Sequence, residues 1–220
     1  MAGRGQVDLI SKKENPRVLM MNKDNQWVAA TDPLHFDKPD VVGVGPGISF
    51  ATEMLDKSKK IKIGLIPCAL GGSPIKVWKP GASYLKVFRP YDDAVYRAKL
   101  AMEKGVLKGI LRHQGGSDND SARASAYIDK LKSLIAGLRK DLQQPNIPFI
   151  AGEIGYFNKN NFINSVILEL PDVVPYTAIV SAKGLRDKGD RLHFDTNSAR
   201  ELGKRYADAM KNLNVDQNPK

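Results

Sequence analysis

Val106-Leu107-Lys108-Gly109-Ile110-Leu111, then Ser121 to Leu142, then Phe149-Ile150-Ala151-Gly152-Glu153-Ile154 follow one another in the chain, and their alternation decides the fold. The first and third segments are short apolar runs of strand length. In the second, Tyr127, Leu131, Leu134, Leu138 and Leu142 recur on one face at helical spacing. Pro145 and Pro148 bracket the turn that leads into the second strand.

The same alternation extends in both directions. Upstream, Asp92 to Lys104 reads as a helix, and Ile61 to Ile66 as a buried strand ending at Pro67-Cys68-Ala69. Gly43-Val44-Gly45-Pro46-Gly47 precedes a helix carrying Ile48, Phe50, Ala51 and Leu55, with Pro46 suited to its first turn. Residues 1 to 45 read as loop with short extended pieces at Arg17 to Met21 and Gln26 to Ala29. Downstream come a helix at Asn160 to Leu170, a strand at Tyr176 to Ser181 and a last helix at Ser198 to Leu213. Ser198 and Glu201 suggest a capping box for that helix. The final residues are polar and expected to fray. The pattern predicts an α/β domain with a mostly parallel sheet covered on both faces.

With 220 residues and 42% hydrophobic content, one compact domain spanning 1–220 is expected. No apolar run is long enough to span a membrane. A single cysteine, Cys68, rules out an intrachain disulfide. The net charge of +10 would permit an anionic polymer as partner. The basic residues are scattered, apart from short clusters such as Lys57-Ser58-Lys59-Lys60, and no nucleic-acid-binding motif is present. A solvated basic surface is the expectation.

In parallel α/β sheets, ligands bind beyond the carboxyl ends of the strands. Polar, glycine-bearing segments follow strand ends at Cys68 to Ser73, His113 to Asp118 and Lys183 to His193, so they should converge on one rim. There are three histidines. Asp190-x-x-His193 pairs a carboxylate with an imidazole at a spacing that lets the Asp fix the tautomer of the base. His35, in a loop, is expected to be structural, and His113 to be structural with a substrate contact.

Several segments occur together in order: Gly45-Pro46-Gly47-Ile48-Ser49-Phe50-Ala51, Gly64-Leu65-Ile66-Pro67-Cys68-Ala69, Gly71-Gly72-Ser73, His113-Gln114-Gly115, Ser181-Ala182-Lys183-Gly184-Leu185 and Asp190-x-x-His193-Phe194. Through nearly its whole length the chain resembles the sialate O-acetylesterase-like branch of the SGNH hydrolases, which includes the family 6 carbohydrate esterases. That resemblance implies a flavodoxin-like three-layer α/β/α sandwich. It also implies a serine esterase that removes O-acetyl groups from a sugar or polysaccharide, with no metal and no cofactor. His193 would be the general base and Asp190 its orienting partner. A backbone N–H near Gly45 and the Gln114 amide would stabilise the oxyanion. Trp78, His113 and Arg112 would be candidate substrate contacts, Trp78 as a platform for a sugar ring or as a core residue. The implied partner is an acetylated carbohydrate, neither nucleic acid nor membrane, and the oligomeric state stays open.

The family's nucleophilic Ser lies in a Gly-Gln-Ser-Asn-Met-Ala-Gly segment after its first strand. Met1-Ala2-Gly3-Arg4-Gly5 matches the tail of that segment, so the Ser and first strand are expected upstream of Met1, as is any signal peptide for a secreted or periplasmic location. Two residues depart from the pattern. Arg112 stands where the family usually has Trp or Tyr, and Gly116 where it has Glu. These departures keep a catalytically inactive carbohydrate-binding protein as the alternative. A nucleotide-binding protein is a weaker one, because Gly43-x-Gly45-x-Gly47 lacks the Lys-Ser/Thr of a phosphate-binding loop.

Overall fold

The computed structural model describes residues 1–55 and 60–215. Most of the lysine cluster at 57–60 and the terminal residues expected to fray lie outside them. Two three-stranded sheets are present among the described residues. In the first, β1 (Val18–Met21) lies between β2 (Trp27–Ala29), antiparallel to it, and β3 (Ile63–Leu65), parallel to it. In the second, β4 (Ile110–Arg112), β5 (Phe149–Gly152) and β6 (Thr177–Val180) are all parallel, in that order. The expected α/β class and parallel pairing hold. The early extended pieces form a hairpin, its turn passing through Asn25 at φ 61°.

Seven helices complete the described chain: α1 (Gly47–Met54), α2 (Pro90–Met102), α3 (Ser121–Ser125), α4 (Tyr127–Asp141), α5 (Phe162–Ile167), α6 (Leu170–Val173) and α7 (Thr196–Val215). All four residues of β5 are buried. Phe149 and Ala151 point into a cluster with Tyr127, Leu131, Leu134, Leu138 and Ile163, on the side of α2, α4 and α5. Ile150 points the other way, into a cluster with Phe50, Ala199, Leu202, Tyr206 and Met210 on the side of α1 and α7. The period-two alternation of a strand thus feeds two apolar layers, and a strand covered on both faces reads as a continuous apolar run.

Sequence and structure differ in instructive places. The segment Ser121 to Leu142 is two helices, broken at Ala126 with φ −100° and ψ 7°. Asp120 caps the first by accepting from the Arg123 N–H. Tyr127 opens the second with its hydroxyl tied to Gln114. The apolar run Ile61 to Ile66 is not a buried strand: Ile61 is 52% exposed, and among the described residues β3 pairs only with β1. Val106 is 76% exposed, and pairing begins at Ile110, whose N–H donates to Pro148 O. The last helix begins at Thr196, and the capping side chain is Asp195, whose Oδ1 accepts from the Ser198 N–H at 2.7 Å. Ser198 Oγ instead accepts from the Arg186 N–H, pinning the preceding loop to the helix.

Candidate active site

The rim is built from loops that leave the strands at their carboxyl ends. Residues Gly3 to Gly5 run alongside Gly43 to Gly45, with N–H donors crossing from Gly43 to Gly3 O and in both directions between Gly5 and Val44. A Cβ at Gly43 would collide with Gly5 O, so glycine is needed for this approach. Arg4 locks the segment. Its guanidinium bonds Ala2 O and Gly3 O and pairs with Asp37 at 3.2 Å. Asp37 in turn accepts from the Gly71 N–H at 2.7 Å, which joins the third loop to the first.

The Gly45 N–H points to the buried carboxyl of Asp32, 3.4 Å away. Desolvation pushes the Asp32 pKa up from 3.8 to about 6, outweighing the Gly45 hydrogen bond and the Arg200 charge that act in the other direction. The sign of the resulting pH dependence is fixed. Because the folded form holds its proton more tightly than the unfolded chain, stability falls as pH rises through that interval. Asp32→Asn should therefore raise the melting temperature at pH 8 and not at pH 3.5. The full interval from 3.8 to about 6 corresponds to roughly 3 kcal/mol. Calorimetric melts at the two pH values check this, and an equal gain at both would refute it.

Gln114 is the hub of the second group. Its Nε2 donates to Asp118 Oδ2 at 2.7 Å and to Ser73 O at 3.3 Å. Its Oε1 accepts from the Tyr127 hydroxyl at 2.6 Å and from Arg112 at 3.3 Å. Asp118 is itself buried and also accepts from the Ile75 N–H. Trp78 donates through its indole N–H to Ser73 Oγ, and the Arg112 guanidinium lies 4.9 Å from its ring. Thus one face of Trp78 carries Arg112, while the residue also packs against the core around Ile75 and Tyr127.

His193 and Asp190 form the third group. The ring Nδ1 lies 2.7 Å from Asp190 Oδ2, and Asp190 Oδ1 accepts from the N–H groups of Leu192 and His193. Partial desolvation of Asp190 acts against ionisation. The His193 backbone, His193 ring and Leu192 bonds outweigh it, holding the carboxyl well below the usual range. An ionised acceptor on Nδ1 leaves Nε2 with the lone pair, the tautomer a general base needs. The turn is shaped by Gly189 at φ +103° and by Asp187, which accepts from the Gly189 and Arg191 N–H groups.

The other two histidines are placed differently. His113 packs edge-on against Phe194, with ring centroids 5.4 Å apart, and lies 3.5 Å from the Tyr206 hydroxyl. Burial drives its pKa down to about 3, so it is a neutral strut between the β4 end and the His193 loop. His35 is likewise driven to about 3, by burial first and then by neighbouring positive charge. Ser49, Ser73 and Ser117 donate to Pro46 O, Leu70 O and Gly72 O respectively.

The sequence reading singled out Gln114, Arg112, Trp78, Gly45 and the Asp190–His193 pair. Of the carboxylates that hold this rim it had only Asp118, as the residue closing the His113 to Asp118 segment. Asp118 and Asp37 contact partners far along the chain, and Asp32 meets Gly45 thirteen residues away. A fourth such carboxylate is Glu153, which accepts from Ser181 Oγ, the Ala182 N–H and the Tyr156 hydroxyl and so braces the loop leading to His193. Polar residues in a strand-end apolar context, such as Glu153 after Phe149-Ile150-Ala151-Gly152, were the available signal.

Residues 1–212 match the profile of a family described as carbohydrate esterase, sialic acid-specific acetylesterase. A probable carbohydrate esterase of Arabidopsis thaliana is 35% identical over 234 residues, covering 95% of this chain and 85% of that protein. The crystal structure of an Arabidopsis thaliana protein superposes with a TM-score of 0.85 at 32% identity, over 96% of this chain and 93% of that one. The crystal structure of NanS shares the fold, with a TM-score of 0.75 at 15% identity, covering 98% of this chain and 93% of its own. A carbohydrate acetylesterase from Xanthomonas citri shares it too, with a TM-score of 0.68 at 19% identity over 90% of this chain and 49% of that chain.

Proposed function

We propose a reaction from one premise: the chain belongs to the carbohydrate esterase family described as sialic acid-specific acetylesterases. The reaction is removal of an O-acetyl group from a sugar through a serine-bound acyl intermediate, carried out by one domain spanning the chain. The observation that carries it is the 2.7 Å contact between His193 Nδ1 and an ionised Asp190, which leaves Nε2 free to accept a proton.

In this reading, Nε2 takes the proton of the serine hydroxyl as its oxygen attacks the acetyl carbonyl carbon. Asp190 stabilises the imidazolium that forms. Charge then develops on the carbonyl oxygen, and donors aimed at that oxygen lower the barrier. Gln114 Nε2 is one donor. Its 3.3 Å bond to Ser73 O is the weaker of its two and is the one the acyl oxygen would replace, while Asp118 keeps the amide in place. The Gly45 N–H would be the other; it faces Asp32 Oδ1 at 3.4 Å and would exchange that bond for one to the acyl oxygen. The tetrahedral species collapses, the C–O bond to the sugar breaks, and the imidazolium returns its proton to the sugar oxygen. Water repeats the sequence and releases acetate.

The test uses a chain extended at its N-terminus by the family's Gly-Gln-Ser-Asn segment. Acetate release from a per-O-acetylated monosaccharide is measured with and without its Ser changed to Ala. Release that depends on the Ser supports the reading. Equal release, or none from either, defeats it.

A further inference from the structure

Tyr84 and Phe88 bond each other in both directions, N–H to O at 2.7 and 3.0 Å, and close a tight hairpin. Two successive residues of its loop, Leu85 at φ 50° and Lys86 at φ 64°, have left-handed backbone. Side chains disfavour that conformation, and Gly, Asn and Asp are its usual occupants in hairpins. The tip is apolar as well: Leu85 is 63% exposed and Val87 74%. Side chains this exposed gain little from packing, so the fold itself does not account for a leucine at a left-handed position. Backbone strain of this kind collects at functional sites.

The hairpin is tied to the candidate active site. The Tyr84 hydroxyl donates to Gly72 O, which also accepts from Ser117 Oγ. The next carbonyl, Ser73 O, is the one that Gln114 Nε2 reaches. Gly116, beside Ser117, leaves a stretch of rim without a side chain. A Cβ there would meet only Leu192 Cδ1, at 4.0 Å, among the described residues, and Leu192 is itself half exposed and precedes His193. Leu192, Gly116, Ser117, Gly72 and Tyr84 thus follow one another by contact across the rim, and the apolar tip stands at the end of that row.

We infer that the 84–88 hairpin is a specificity lip that binds an apolar aglycone, so that the preferred substrates are O-acetylated glycosides carrying an alkyl chain. This rests on the proposed acetylesterase reading, in which His193 protonates the leaving sugar. The sugar then lies on the Leu192 side, over Gly116, and its aglycone extends past Ser117 to the tip. Leu85 and Val87 are aliphatic and offer neither a hydrogen bond nor an aromatic plane to a second sugar, so the group that matches them is a hydrocarbon chain. In calorimetric titrations of the full chain, n-octyl β-D-glucoside below its micelle concentration should bind ~10- to 100-fold more tightly than methyl β-D-glucoside, the range for partly covering two aliphatic side chains. Leu85→Asn with Lys86→Gly places residues suited to left-handed backbone at the tip and removes the leucine. That variant should melt higher than the unchanged chain and lose most of the octyl preference. Val87→Ser, which leaves the strained positions as they are, should lose part of it. Leu9→Ser with Ile10→Ser, which removes another exposed apolar pair, should leave the preference intact.

Equal binding of the two glucosides overturns the inference, as does a preference that survives the tip variants or falls with the Leu9 and Ile10 variant. A lower melting temperature for the Leu85 and Lys86 variant also overturns it, since packing would then hold the leucine in place. Hydrolysis of acetylated methyl glucoside with no octyl preference would sink this inference and leave the esterase reading standing. Octyl binding that depends on the tip, without any hydrolysis, would do the reverse.

Discussion

Replacing His193 with Ala is expected to lower acetyl-ester hydrolysis ~10⁴-fold, measured as kcat/KM on p-nitrophenyl acetate in a chain extended at its N-terminus by the family's Gly-Gln-Ser-Asn segment. The size follows from the geometry. His193 is the histidine whose ring meets an ionised carboxylate, Asp190, at 2.7 Å. His35 and His113 are held neutral by burial and lack such a partner. His35→Ala should therefore cost far less, through packing alone. Comparable losses in the His193 and His35 variants would remove His193 as the base.

Gln114→Ala should depress kcat ~100- to 1000-fold with little change in KM, the signature of a donor that acts on charge in the transition state. The hub position of Gln114 makes a second readout available. Losing its amide takes one bond from buried Asp118 and one acceptor from Tyr127, so the variant should also melt lower. Gln114→Glu keeps an acceptor for Tyr127 but brings a second carboxyl to the 2.7 Å contact with buried Asp118, so it should melt lower as well and should not restore kcat. A rise in KM with kcat intact would show that Gln114 holds ground-state substrate.

The fold was legible because its signal is local. Leu131, Leu134 and Leu138 recur at helical spacing and are buried, and the continuous apolar run at Phe149 is the strand covered on both faces. The errors fall where local and long-range signals compete. Ile61 to Ile66 is apolar enough for a core strand, yet among the described residues β3 has a neighbour on one side only. Ala126 is a good helix former, and the break there follows from Tyr127 reaching back to Gln114, which no periodicity announces.

The site was half legible for the same reason. Asp190 and His193 are three residues apart, and the contact between them is encoded by spacing. Gln114 stood out by resemblance, but its amide is held by Asp118 and by a carbonyl at Ser73, forty-one residues upstream. The departure at Arg112 was visible as an unusual letter. Its stacking on Trp78 and its bond to Gln114 were visible only once the neighbours were in place.

The division into two sheets has a consequence for how the molecule opens. No strand pairing joins β2-β1-β3 to β4-β5-β6 among the described residues. Continuity runs instead from β1 and β3 through α1 to α7, and from α7 to β5 and β6. Ala199, Leu202, Tyr206 and Met210 of α7 lie in the same apolar layer as Val18 and Ile150, one from each sheet. Undocking of this one helix would uncover β5 and β6 and take from α1, which covers β1 and β3, its packing partner. In native-state amide exchange, β1 and β5 should thus share an opening with α7, while α4, packed on the far side, follows a separate and rarer event. A helix that looks peripheral in the sequence is thus the hinge pin between the two described sheets.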